Sequence, residues 1–232
     1  MKVEASLTDV NCQLGLVPAL TVVQDNMCEF FKQIDCDGLS MVPKCNCFFV
    51  LTKTKILFHR FLNWLDLFSV KTEFSSIGKV KLGLSAVVSD SVGLVAECVQ
   101  EMCAMDASSR SLRVIGSTAL PEDIEATKTT EIRFQKLVDD CVESDFVREV
   151  IVNLSHLDFY KHVNNVEYVR LMLSTLPLEF FEDLKIKEFE IHYISECVSG
   201  DVLRLYTRVG NGRVVFWIKR EDIVICKGVL TF

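Results

Sequence analysis

The chain lacks any apolar run of the roughly 18 to 20 residues that a bilayer-spanning helix needs. Its opening, MKVEASLTDVNCQ, also has no apolar segment followed by a cleavage site. The sequence alone therefore predicts a soluble, cytoplasmic protein without a membrane span. No cluster of Lys and Arg interrupts a formal net charge of −7, and scattered basic residues argue against nucleic acid as a partner. The ten cysteines form no CxxC pair and show no zinc-ligand spacing. They read as small, reduced core hydrophobes rather than a disulfide framework. His59, His156 and His192 have no ligand-like company, so no metal site is expected.

Half the residues are hydrophobic and a quarter charged, an ordinary globular balance, over a length of 232 residues that suits one large domain or two smaller ones. Residues 18–34 place Leu20, Val23, Met27, Phe30 or Phe31, and Ile34 on one stripe, which predicts an amphipathic helix opened by Pro18. Gly38 in DCDG is the predicted left-handed stop. From about residue 46 to 105 the text becomes short β-rich runs separated by Asn, Asp, Ser and Gly, the pattern of an antiparallel meander. The following stretch is more polar and carries Pro121.

The order then repeats. VREVIVNLSHLD reads as a strand, Val163 to Leu176 as a helix stopped by Pro177, and four further β-rich runs follow, with a hairpin signal at Gly210–Asn211–Gly212. DLFSVKT (Asp66 to Thr72) aligns with DVLRLYT (Asp201 to Thr207), so a duplication is expected. The predicted fold class is α+β, with two units each made of a helix wrapped by a curved antiparallel sheet. The expected boundaries are 1–120 and 146–232, joined by 121–145. In the second helix Glu167, Arg170 and Ser174 form one narrow polar face while Val166, Val169, Met172, Leu173 and Leu176 cover the rest, so that helix should be mostly enclosed.

The densest chemistry is LDFYKHVNNVEY, with Asp158, His162, Asn164 and Asn165 at the mouth of this helix. The run resembles the acyl-ACP thioesterase family, whose motif is D-x-N-x-H-V-N-N-x-x-Y. The matching residues are Asp158, His162, Val163, Asn164, Asn165 and Tyr168. HYISECVSGD is similar to the family's E-Y-R-R-E-C segment, which puts Glu196 and Cys197 at its Glu-Cys pair. The resemblance implies two tandem hotdog domains and hydrolysis of acyl-ACP to free fatty acid in lipid synthesis. It implies no cofactor, and an acyl carrier protein or acyl-CoA as partner. One position departs from the motif: Tyr160 stands where the family has its Asn.

Thioester hydrolysis needs an activated water, a donor for the developing oxyanion, and an apolar slot. The resemblance implies Glu196 as the base, His162 as the residue that positions or shuttles a proton, and Asp158 as the orienter of the imidazole. The helix N-terminus near Asn164 and Asn165 offers unpaired N–H groups to an oxyanion and to the substrate. Cys197 is a thiol beside the site and could also be read as a nucleophile. Strand alternation sets Glu196 opposite the apolar face of Phe189, Ile191 and Tyr193, unless a bulge near Ser195 re-aims it or the site uses the other sheet face. Two other readings stay open. One is an acyl-thioester binding protein that lost its chemistry at Tyr160, and the other is a hotdog hydrolase of acyl-CoA. Lys161 and Arg170 are candidate contacts for an acidic carrier, and a monomer or a homodimer fits a fused pair.

Overall fold

The apolar stripe of the first predicted helix forms α1 (Leu16–Gln33), with Leu16, Val17, Leu20, Val23, Met27 and Phe31 on its buried side. Pro18 sits in its first turn, where a missing N–H costs nothing. The helix ends earlier than the glycine suggested. Asp35 takes the left-handed conformation (φ 56°), and the Cys36 N–H closes back on the Phe31 carbonyl at 2.8 Å. Asp37 then caps a short helix that sequence reading missed, α2 (Gly38–Cys45), accepting from the N–H groups of Leu39 and Ser40. Gly38 is therefore a helix start and not a helix stop.

This computed structural model of the protein describes residues 1–127, 131–182 and 184–232. Its strands are β1 (Cys47–Phe58), β2 (Ser69–Ile77), β3 (Lys81–Ser89), β4 (Leu94–Asp106), β5 (Leu112–Arg113), β6 (Phe146–Ile151), β7 (Glu188–Tyr193), β8 (Val202–Gly210), β9 (Arg213–Arg220) and β10 (Ile223–Thr231). All join one antiparallel sheet in the order β2-β3-β4-β1-β7-β10-β9-β8-β6, with β5 beside β4. The expected runs are strands, and the β8–β9 loop is the predicted Asn211–Gly212 turn, where Gly212 alone of the pair takes a positive φ (72°). The second long helix, α3 (Asn165–Leu173), is shorter than expected at both ends, since Asn164 is its cap and Ser174 closes it before Pro177.

The sheet is continuous because β1 pairs with β7, so that Ile56 faces Phe189 and Lys55 faces Glu190. Alternation gives this join two unlike faces. Ile56, Phe189 and Ile191 enter a core shared with the first half of α1 and with α3. On the opposite face Lys55 reaches Glu188 at 3.0 Å and Glu190 at 3.3 Å. A stretch without helix or strand crosses that face. The Gln135 N–H donates to Glu190 at 2.8 Å, Lys227 Nζ to the Leu137 carbonyl at 3.1 Å, and Trp217 Nε1 to the Val138 carbonyl at 3.4 Å. The far half of α1, with Met27 and Phe31, packs with Met41 and Phe74 into a second core.

The repeat extends to single hydrogen bonds. Asp9 N donates to the Gln13 carbonyl and Asp158 N to that of His162, both at 2.8 Å. Leu14 N meets the Leu62 carbonyl at 2.8 Å where Val163 N meets that of Cys197 at 2.9 Å. Thr72 bonds Asn26 at 2.7 Å where Thr207 bonds Thr175 at 2.6 Å. Gln13 thus occupies the position of His162. Among the described residues no helix is long and apolar enough to cross a membrane.

Candidate active site

The helix mouth is a tight turn built by one carboxylate. Asp158 Oδ1 accepts from the N–H of Tyr160 at 2.8 Å and of His162 at 3.4 Å, while Lys161 holds a left-handed φ of 66°. Short polar side chains favour such turns because they replace missing backbone partners. The contact expected from Asp158 to the imidazole is not found among the described residues. Asp158 shapes the backbone that carries His162 instead. Asn164 caps α3 by accepting from the Val166 N–H at 3.0 Å, and it also takes a bond from Gln24 of α1 at 3.2 Å. Asn165 is the first residue of α3, and its carbonyl accepts from the Tyr193 hydroxyl at 3.3 Å. Tyr168 lies in the core.

His162 and Glu196 come together from segments more than thirty residues apart. His162 pairs with Val198 in an isolated antiparallel bridge, which sets its ring beside the Glu196 side chain. The imidazole Nε2 lies 3.8 Å from Glu196 Oε2, too far for a direct hydrogen bond and close enough for the two to act on one substrate. β7 has already ended at Tyr193, and the Ile194 and Ser195 N–H groups both donate to the Ile225 carbonyl, at 2.8 and 3.1 Å. The irregularity falls where a bulge was expected, yet the faces keep their alternation. Cys197 joins Phe189 and Ile191 in the core, and Glu196 stays at the partly open surface. Burial pushes the Cys197 thiol up, so the thiolate that a nucleophile needs is disfavoured.

Tyr160 turns away from the imidazole toward the first half. Its ring stacks on Phe48 (6.4 Å between centroids, 19° between planes) and leans on Phe159 at 4.2 Å. The hydroxyl lies over Gly38, where any β-carbon would overlap it. Burial, with Asp37 and Asp158 nearby, pushes the phenol up. Phe48, Gly38 and Arg110, which pairs with Glu196, were absent from the sequence-level site. None belongs to a motif, and each reaches the mouth only through the fold.

Of the candidate carrier contacts, Lys161 is exposed and Arg170 is engaged by Glu167 at 3.0 Å. His59 pairs with Glu97 at 2.9 Å and His192 with Glu190 at 2.8 Å, away from the mouth, while His156 meets it through its backbone, its carbonyl accepting from the Asn164 N–H at 2.9 Å and its Nδ1 from the Asn153 N–H at 3.1 Å. No group of three or more His, Cys, Asp or Glu able to hold a metal occurs among the described residues. Six cysteines are buried as expected, but Cys12 and Cys28 are exposed.

The fold is an α+β architecture with one continuous antiparallel sheet, and it is shared with solved structures. The structure aligns over 100% of its length with an acyl-ACP thioesterase from Bacteroides thetaiotaomicron, covering 95% of that chain at a TM-score of 0.90 and 18% identity. It also aligns with the 12:0-ACP thioesterase from Umbellularia californica, covering 94% of that chain at a TM-score of 0.83 and 20% identity. Residues 140–231 match the family model of the acyl-ACP thioesterase C-terminal domain. In sequence it is 27% identical over 184 residues to an acyl-ACP hydrolase, chloroplastic, from Cuphea viscosissima, which covers 75% of this chain and 44% of that protein. It is likewise 27% identical over 181 residues to the dodecanoyl-ACP hydrolase, chloroplastic, of Umbellularia californica, covering 74% and 47%. The chain thus spans a little under half the length of the curated relatives it matches.

Proposed function

We propose that the protein is a thioesterase that hydrolyses acyl-ACP to free fatty acid and carrier protein in fatty acid biosynthesis. In this reading it is built from two hotdog domains, 1–120 and 146–232, joined by 121–145. The observation that carries it is the meeting of His162 and Glu196, 3.8 Å apart at the mouth of α3. Glu196, with His162, draws a proton from a water whose oxygen attacks the thioester carbonyl. The positive end of α3 faces the oxyanion that forms. When the carbon–sulfur bond breaks, the proton passes through the imidazole to the departing thiolate, leaving a carboxylic acid and the carrier thiol. Asp158, Asn164 and Asn165 hold the turn and helix start that present these groups. The chemistry calls only on water and side chains, without a cofactor. A cytoplasmic setting, as monomer or homodimer, belongs to the same proposal, although the plant relatives are chloroplastic.

A second reading is supported by Tyr160, whose ring packs onto Phe48 and Gly38 at the position where the family carries an amide. Under it the pocket binds acyl thioesters without turning them over. Thiol release from acyl-ACP and acyl-CoA panels decides between the two. Turnover lost by about a hundredfold or more in His162→Ala and Glu196→Gln supports hydrolysis. Tight binding without release, with release appearing in Tyr160→Asn, supports the binding protein. Competition between the two carriers assigns the substrate class.

A further inference from the structure

The rim that faces Glu196 is a rigid hairpin from the other half of the molecule. The turn linking β4 to β5 wraps around Asp106, whose Oδ1 accepts from the N–H groups of Ser108 at 3.0 Å and Ser109 at 2.8 Å. Arg113 donates to its other oxygen at 2.9 Å, and the Asn46 carbonyl takes the Ala107 N–H at 2.8 Å. At the end of this turn Arg110 holds a left-handed φ of 57°. That conformation is costly for a residue with a β-carbon, and it persists only where its surroundings fix it. The result is a guanidinium that lies 5.2 Å over the Phe48 ring and ion-pairs through Nη2 with Glu196 Oε2, the same oxygen that faces His162.

Other charges nearby are committed elsewhere. Arg220 of β9 bonds Asp201 at 2.7 Å and reaches only the backbone carbonyl of Glu196, at 3.3 Å. Asp158 is bonded to the turn that carries His162, and Lys161 is exposed beside it. Tyr160 points to Gly38, and Cys197 is buried behind the strand. Among the described residues Arg110 is the cation on the Glu196 carboxylate.

We propose that Arg110 is a positioning residue that competes with His162 for Glu196 Oε2 and fixes that carboxylate beside the imidazole, leaving the ring nitrogen uncovered. An arginine suits the task because its charge is permanent and its planar fork fixes the carboxylate's orientation. The proposal builds on the hydrolase reading for its consequence in turnover, while the charge arrangement can be tested without any turnover.

Arg110→Gly is the informative variant, because glycine adopts the turn's positive φ without strain and removes only the side chain. Unpaired from Arg110, Glu196 closes onto His162 and covers its Nε2 with a direct hydrogen bond. Carbethoxylation of His162 by diethyl pyrocarbonate near neutral pH, followed by peptide mass spectrometry, is then expected to slow by about two- to threefold. Arg110→Lys should restore part of the rate, and in a Glu196→Gln background Arg110→Gly should change nothing. In turnover, kcat falls by about tenfold with KM little changed. An unchanged carbethoxylation rate in Arg110→Gly overturns the proposal, as does a slowing that persists in Glu196→Gln. A protein that hydrolyses no thioester yet shows the slowed, Glu196-dependent modification upholds Arg110's role and overturns the hydrolase reading instead.

Discussion

Tyr160 and Gly38 form a pair that neither residue explains alone. The hydroxyl rests where a side chain on Gly38 would begin, so Gly38→Ala forces the ring to move and strips it from Phe48. Alanine is otherwise the better helix former. We therefore expect Gly38→Ala to destabilise the natural protein and to be neutral or stabilising alongside Tyr160→Asn. The coupling should be about 1 kcal/mol in a double-mutant cycle of urea denaturation. His162 and Glu196 were legible in the sequence because a motif names them. Arg110, Phe48 and Gly38 were not, since a turn, a strand start and a helix start carry no chemical signature until the fold brings them to one place. Asp158 was legible as polar, but its role in the turn rather than at the ring needed coordinates.

Among the elements, the β4–β5 hairpin sets how well the first half meets the site. The amide of Ser109 and the guanidinium of Arg113 lower the Asp106 carboxyl to about 2, against an ordinary 3.8. A carboxyl lowered by folding contributes stability that is full above its unfolded value and is lost as pH falls through its folded one. The difference in melting temperature between the natural protein and Asp106→Asn should therefore be steady above about pH 5 and close as pH falls toward 2. A difference that persists at pH 2 would separate the turn from this charge. Strands were readable because alternation with Asn, Ser and Gly breaks marks them directly. α2 was not, because Asp35 and Asp37 both lie in DCDG, where a left-handed stop and a new cap follow each other too closely to separate by pattern.

Across the whole molecule, the two halves are held by a shared sheet and a shared core, with a charged seam on the sheet's other face. Glu190 is fully buried there, between Lys55 at 3.3 Å, His192 at 2.8 Å and the Gln135 N–H at 2.8 Å. Removing one member of a buried pair strands the other, so Glu190→Ala should cost about 3 to 5 kcal/mol in urea unfolding. Replacing Lys55 and Glu190 together by Met and Leu should cost much less. The seven-residue match pointed to like strands in the two halves, β2 and β8, but the pairing of β1 with β7 was not legible, because strand order is a property of the assembled sheet.

The hydrogen-bond correspondence between the halves also sets their two mouths side by side. Since Leu14 and Leu62 stand where Val163 and Cys197 do, Phe61 holds the place of Glu196 just as Gln13 holds that of His162. A glutamine cannot ionise and a phenylalanine cannot accept a proton, so the first mouth holds no pair able to exchange one. The molecule therefore carries one backbone mouth in two versions, ionisable in the second half and inert to proton transfer in the first.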